Sequence, residues 1–402
     1  MPATGILPGG DRRLTAIDAA RGTVMVLMAL DHVRDFIHRG AMVGSPTDLA
    51  TTHVAIFLTR WVTHFCAPMF VFTAGLGAYF WWQRRRSRAQ LAAFLASRGA
   101  WLVALELTVM QLAYNFSVSA SYPVFLLVLW VLGLCMIGLA ALVWMPTQAL
   151  MVMALATIAL HNLLDSINAA AFGSRSGLWN LLHQPGAFRI SGLTVIVGYP
   201  LVPWVAVMAL GFASGPILRR APADRQRALI WMGAVATAGF LVLRSVNGYG
   251  DPAPWTAQSS ATFTVLSFLN TSKYPPSLLF LLMTIGPALV GIALLDRVRL
   301  GASHPLVILG RAPLFYFVAH FFLAHLAAVL LAWGRYGVTA RSFSFRPLPS
   351  MGGPAALFPG DFGYDLWVVY AVWVTVVVTL YPACRRVADW KAGRREWWVG
   401  FL

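Results

Sequence analysis

Charge is what this chain has least of. Asp, Glu, Lys and Arg make up 11% of its 402 residues, against the ~25% of an ordinary soluble domain. With 59% hydrophobic residues, that scarcity excludes a soluble enzyme and predicts an all-α polytopic integral membrane protein. Acidic residues are the scarcer half, 14 against 30 Lys and Arg, for a net charge of +16. In a membrane chain this excess belongs to cytoplasmic loops that set orientation, and no nucleic-acid partner is expected. Cysteine is nearly absent. Cys66, Cys135 and Cys384 sit in apolar surroundings, without the spacing of a thiolate metal site or a disulfide framework. No metal is expected. No hydrophilic stretch is long enough to fold alone, so residues 1–402 read as a single transmembrane domain. There is no internal repeat, which weakens an inverted-repeat transporter reading. Arg12 and Arg13 precede the first apolar run without a short cleavable h-region, so that helix is expected to be retained.

The apolar runs suggest about ten spans of the ~20 residues a bilayer needs. They lie near 14–36, 54–81, 94–115, 122–143, 148–165, 193–217, 228–246, 276–296, 304–333 and 364–384. The ninth is long enough for a short re-entrant or interfacial piece followed by a helix. With ten spans, one set of connections collects Arg12–Arg13, Arg84–Arg88, Arg219–Arg227, Arg297–Arg299 and the tail WKAGRREWW. That places both termini in the cytoplasm. The alternate loops, near 37–53, 166–192, 247–275 and 334–363, are long and rich in Gly, Pro, Ser and Trp, and loops of that kind are commonly functional.

The first run, LTAIDAARGTVMVLMALDHVRDF, carries Asp18, Arg21, Asp31, His32, Arg34 and Asp35. Ionisable groups at bilayer depth cost ~2.5–3.5 kcal/mol each on insertion scales, which makes them functional candidates. Positions 18, 21, 25, 28 and 32 share one helical face, and Arg21 and His32 lie ~16 Å apart along the axis. Asp18 and Arg21 read equally well as a structural ion pair. Asp31–His32 points to proton chemistry. On the second span His64 shares a face with Arg60 and Pro68, and Pro68 should kink the helix beside it. His32, Asp31 and His64 are therefore the candidate catalytic cluster. Asp35, Arg60, Asn270 and Lys273 are the candidate substrate-binding groups, the last two within FLNTSKYPPS. Arg84, Arg85 and Arg88 in WWQRRRSR are a topology anchor or a landing site for a phosphorylated cytoplasmic molecule. Glu106 lies two turns from Arg98 and needs a partner on another helix. His320 and His325, five residues apart, read as separate hydrogen-bonding positions.

RLTAIDAARGTVMVLMALDHVRDF and FLTRWVTHFCAPMFVFTAG, with YPLVPWVAVMALGFASG, LNTSKYPPSLLFLLMTIGPAL and GRAPLFYFVAHFFLAHL, resemble the bacterial branch of the heparan-α-glucosaminide N-acetyltransferase-like membrane proteins. The first helix is also similar to that of the acyltransferase-3 proteins, with an arginine and a histidine at the positions of Arg21 and His32. The resemblance implies a multi-pass protein of the bacterial inner membrane. It would use acyl-CoA (acetyl-CoA) from the cytoplasm and pass the acyl group to an outer acceptor such as a glycan. His32 would be the base or acyl carrier. Arg21, with Asp18 beside it, would face the cofactor, and Arg84, Arg85 and Arg88 its phosphates. The sequence departs from the lysosomal glucosaminide enzymes, where asparagine matches His32 and the active histidine precedes the second helix, nearest to His53 here. Thr63–His64 stands where those enzymes resemble Ala-Asp. The catalytic histidine is thus left among His32, His64 and His53, and glucosamine itself is disfavoured as acceptor. The rival class is a proton-coupled transporter using the Asp, His and Arg groups as a relay.

Overall fold

The computed structural model describes residues 14–119, 121–351, 353–394, 396, 399 and 401. Arg12, Arg13 and Arg395 of the basic connections, and Trp397 and Trp398 of the tail, lie outside the described residues.

The first charged run forms α1, Thr15–Ile37, and sixteen of its 23 residues are buried. It is the central helix, packed against residues 66–85, 278–298, 305–311, 313–336 and 366–392. Around it stand α2 (Val54–Arg85), α3 (Arg88–Asn115), α4 (Val128–Leu142) and α5 (Thr147–Leu164). A short α6 (Ser176–Leu182) follows. Then come α7 (Leu201–Leu218) and α8 (Pro222–Val246), the loop helix α9 (Ala261–Leu269) and α10 (Leu278–Val298). The last three are α11 (Pro305–Arg311), α12 (Pro313–Tyr336) and α13 (Leu366–Ala392). Among the described residues eight helices are long and apolar enough to cross a membrane. The shorter α4 and the charged α1 occupy the other two of the ten expected runs without meeting that length and polarity, and the chain is an all-α multi-pass membrane protein.

Several boundaries move. The third span starts at Arg88 rather than near 94, because Ser87 caps it by accepting a hydrogen bond from Gln90 N. The ninth run divides into α11 and α12 around Pro313. Runs four and six each open with a strand instead of a helix. Strands β1 (Val124–Leu126), β2 (Gly186–Ile190) and β3 (Leu193–Val197) form a small sheet in the order β1-β3-β2, β1 parallel and β2 antiparallel to β3. The β-branched LTVIV segment favours extended backbone, and Pro200 keeps helix from starting before Leu201.

Helices close on one another where glycine removes the side chain. Gly75 of α2 and Gly211 of α7 face each other's helix backbones, and a Cβ on either would collide with a carbonyl. Gly22 and Gly310 do the same between α1 and α11. Lipid offers no hydrophobic drive for helix pairing, so such backbone approach is what packs the bundle.

Candidate functional site

Pro68 shapes the site first. It has no N–H for the carbonyl of His64, and α2 passes through a 3-10 turn over Thr63–Phe65 just ahead of it. The turn buries His64, whose ring meets Phe280 edge-on at 5.4 Å. Arg60, one turn earlier, reaches α1.

There the charges pair. Asp31 accepts from Arg34 at 2.9 Å and from Arg60, and Arg34 also donates to Asp35 at 2.5 Å. Asp31 therefore spends its oxygens on arginines, because neighbouring residues of a helix diverge by ~100° and Asp31 cannot face the same way as His32. His32 turns instead toward α12. Its ring centroid lies 4.0 Å from that of Phe321 and 5.2 Å from that of His320. The Nδ1 of His320 is 2.9 Å from the carbonyl of Tyr316, so it carries the proton there, and its buried Nε2 has no hydrogen-bond partner.

His32, Asp31, Asp35, Arg60 and Lys273 line one cavity of about 350 Å³, together with Tyr199 and Tyr274. Formally this wall holds two carboxylates, Asp31 and Asp35, against three cations, counting Arg34 behind Asp31. The Tyr199 and Tyr274 hydroxyls lie 3.4 Å apart. Burial pushes the Tyr199 hydroxyl well above its ordinary pKa. The Lys273 and Arg60 cations hold the Tyr274 hydroxyl below its ordinary value.

This cavity opens on a polar vestibule of about 770 Å³, with which it shares Asp35, Arg60, Lys273, Tyr274 and Ser350. His64 and Asn270 line the vestibule and not the His32 cavity. Asn270 donates to the Thr47 carbonyl at 2.9 Å. His53 is exposed at the start of α2 and lines neither space.

On the opposite side lies a second cavity of about 320 Å³, walled by α1, α2, α3, α4 and the start of α12. Arg21 and Arg98 are its charged residues, and Trp81, Phe94 and Met136 are among its apolar ones. Arg21 donates to the Thr73 hydroxyl at 3.0 Å and to the Thr73 carbonyl. Asp18 sits behind it, 4.0 Å from Arg21 and 3.4 Å from Arg311, outside the cavity wall. The Nε of Arg98 is buried without a partner. Phe70, Val128 and Phe317 belong to both cavities, so only a layer of side chains separates them. Of the basic connection, Arg85 lies 5.3 Å over Trp81 at the second cavity. Arg88 stacks on Trp82 and donates to the Trp144 carbonyl at 2.7 Å, which ties α3 to the α4–α5 turn. Arg84 is exposed.

His320 is legible in the sequence, but its approach to His32 is not. Arg98 was set beside Glu106 without a role of its own, although one arginine amid a span was signal enough. Glu106 has another task. It accepts from Tyr114 at 2.7 Å and from the Leu129 and Trp130 amides at 2.8 and 3.1 Å, capping α4. The ring of His325 lies between the Ala113 carbonyl, 2.9 Å from Nδ1, and the Ser344 carbonyl, 3.2 Å from Nε2, and donates its one N–H to one of them.

A protein-family comparison matches residues 13–246 to the family described as heparan-alpha-glucosaminide N-acetyltransferase, catalytic. The match takes in α1 to α8, and so Arg21, His32, Arg60 and Arg98. No individually curated protein matches the chain.

Proposed function

This chain belongs to the heparan-alpha-glucosaminide N-acetyltransferase catalytic family, and we propose that it carries an acetyl group from acetyl-CoA across the membrane to an acceptor, such as a glycan, on the far side. The observation that supports this reading is the pair of abutting cavities. One holds Arg21 and Arg98 among apolar walls, the other His32 beneath a polar vestibule. A thioester on a long flexible arm suits such a partition. The cation-lined, mostly apolar cavity takes the arm, with its phosphates toward Arg85 and the cytoplasm. The acetyl end passes between Phe70, Val128 and Phe317. The buried, unpartnered Arg98 Nε fits an anionic or carbonyl-bearing ligand.

At the junction His32 accepts the proton of the acceptor's amine or hydroxyl as that atom attacks the thioester carbonyl. The C–N or C–O bond forms, the C–S bond breaks, and the thiolate takes the proton back from the imidazolium. Lys273, Arg60 and Tyr274 are the groups that would face the oxyanion, and the cationic surplus of the wall favours it. His320, hydrogen-bonded to backbone, keeps the His32 ring from turning away. Acceptors enter through the vestibule, where Asn270 and Lys273 stand.

The test is binding and turnover of radiolabelled acetyl-CoA by purified protein. Wild type should bind saturably and release CoA when acceptor is present. His32→Ala should bind but turn over roughly 10²–10⁴-fold more slowly. An acid quench that traps label on wild-type protein would replace direct transfer by an acyl-histidine route. If folded wild type neither binds acetyl-CoA nor releases CoA, acyl transfer is wrong and proton-coupled uptake in vesicles becomes the assay.

A further inference from the structure

Away from both cavities, three metal-ligating side chains converge without an evident task. His161 opens the 3-10 turn that ends α5, Asp165 follows that turn, and His183 sits just past α6. One ligand atom from each lies within 4.8 Å of the other two, and this is the trio of that kind among the described residues. His161 is 3% exposed and His183 2%. Both ring nitrogens of His161, and Nδ1 of His183, are buried with no hydrogen-bond partner. His183 Nε2 is 2.9 Å from Asp165 Oδ1. The other carboxylate oxygen accepts from Asn162 at 2.7 Å, and the Asn162 side-chain carbonyl accepts from the Leu278 amide at 2.8 Å.

Core histidines normally meet a carbonyl or hydroxyl, as His320 and His325 do in this protein. His161, with neither ring nitrogen partnered, and His183, whose Nε2 faces Asp165, instead bring two imidazole lone pairs to one carboxylate, since each neutral ring offers one. We propose that His161, Asp165 and His183 bind a divalent transition metal, Zn²⁺ by their chemistry, with water as the fourth ligand. Two imidazoles and a carboxylate suit zinc, whereas calcium and magnesium call for an all-oxygen shell. Tetrahedral bonds of ~2.0–2.1 Å put ligand atoms roughly 3.3 Å apart, so ligand atoms within 4.8 Å of one another need to close by at most about 1.5 Å. Asn162 holds the outer carboxylate oxygen and leaves Oδ1 for the metal, the usual second-sphere arrangement. The expectation of no metal came from cysteine spacing and from the His320–His325 interval. His161 and His183 carry no recognisable motif, because a whole loop lies between them.

The site has a structural consequence. It pins α6 to the end of α5, and α6 leads directly into β2 and β3, then into Gly198 and Tyr199 of the His32 cavity. A bound metal makes that wall stiffer.

The experiment uses untagged full-length protein, stripped with chelator, reloaded with Zn²⁺ or Co²⁺ and desalted. Wild type should retain close to one zinc per chain, show the intense visible bands of four-coordinate Co²⁺, and unfold at a higher temperature with Zn²⁺ than without. His161→Ala and His183→Ala should each weaken retention at least tenfold, while His53→Ala, at an exposed histidine, should not. Asp165→Asn is the milder variant should an alanine variant fail to fold. Retention well below one zinc per chain, a weak six-coordinate Co²⁺ spectrum, or unchanged binding in folded His161→Ala or Asp165→Asn would each overturn the proposal.

Discussion

His32 shows how far a single residue can be read. Its chemical type and its place on α1 are legible in the sequence, but its partner is not. Asp31, its neighbour in the chain, belongs to Arg34 and Arg60. Asp31→Asn would leave the Arg60 guanidinium without its carboxylate and Arg34 with Asp35 alone, and breaking a buried pair typically costs ~3–5 kcal/mol. We expect a lower unfolding temperature, with loss of activity only in proportion to loss of folded protein at the assay temperature. If acetyl-CoA occupies the Arg21–Arg98 cavity as proposed, Arg98→Met should behave oppositely, raising KM for acetyl-CoA several-fold with kcat and unfolding temperature nearly unchanged, because a cation there acts through binding. Beyond the membrane end of α1, His38 adds a pH dependence. Burial, reinforced by the Arg34 and Arg39 cations, lowers its pKa from 6.5 to about 4. Its Nδ1 accepts from the Gly40 amide, which requires the neutral ring. The unfolded chain therefore takes up the proton first, and the stability His38 contributes above pH 6.5 is lost as pH falls toward 4. Thermal unfolding followed across that window should show the slope, and His38→Asn, which keeps an acceptor, should flatten it.

At the scale of elements, helices were legible because long apolar runs in lipid have few alternatives to internal hydrogen bonding. Their breaks were legible in two places. Pro68 signals the irregular turn in α2, and the length of the ninth run the division of α11 from α12. The sheet was missed because short apolar strand and buried helix look alike over five residues. Crossings such as Gly75 with Gly211 were not legible, since a glycine's partner lies on another helix. Gly211→Val should abolish recovery of folded protein in detergent, as the added side chain meets the Phe72 carbonyl. Gly291→Ala in α10, with nothing within 4 Å of the added carbon, should leave the yield unchanged and the unfolding temperature equal or higher. Equal yields of the two variants would contradict the packing argument.

The whole molecule is a bundle around one charged helix, with cavities at either end of that helix's charged face. If the arginine cavity opens to the cytoplasm, position 43 in the outer loop, where Val43 is 88% exposed, lies outside. Val43→Cys should react with a membrane-impermeant thiol reagent on intact cells, and Arg86→Cys only after permeabilisation. The native cysteines are all buried and should stay silent. The reverse labelling pattern would invert the direction of the proposed acyl transfer.

Composition and periodicity by themselves determined that this chain is an all-α multi-pass membrane protein centred on a polar first helix. Those properties follow from what each segment does in lipid, whatever its neighbours. The chain's sequence motifs carried the family resemblance. Only the tertiary structure decided that His32 faces His320, that Arg98 joins Arg21, that His64 belongs to the vestibule and that His161 meets Asp165 and His183. Each of these depends on the distance between side chains of different elements, and helix packing sets that distance through contacts no single stretch of chain contains.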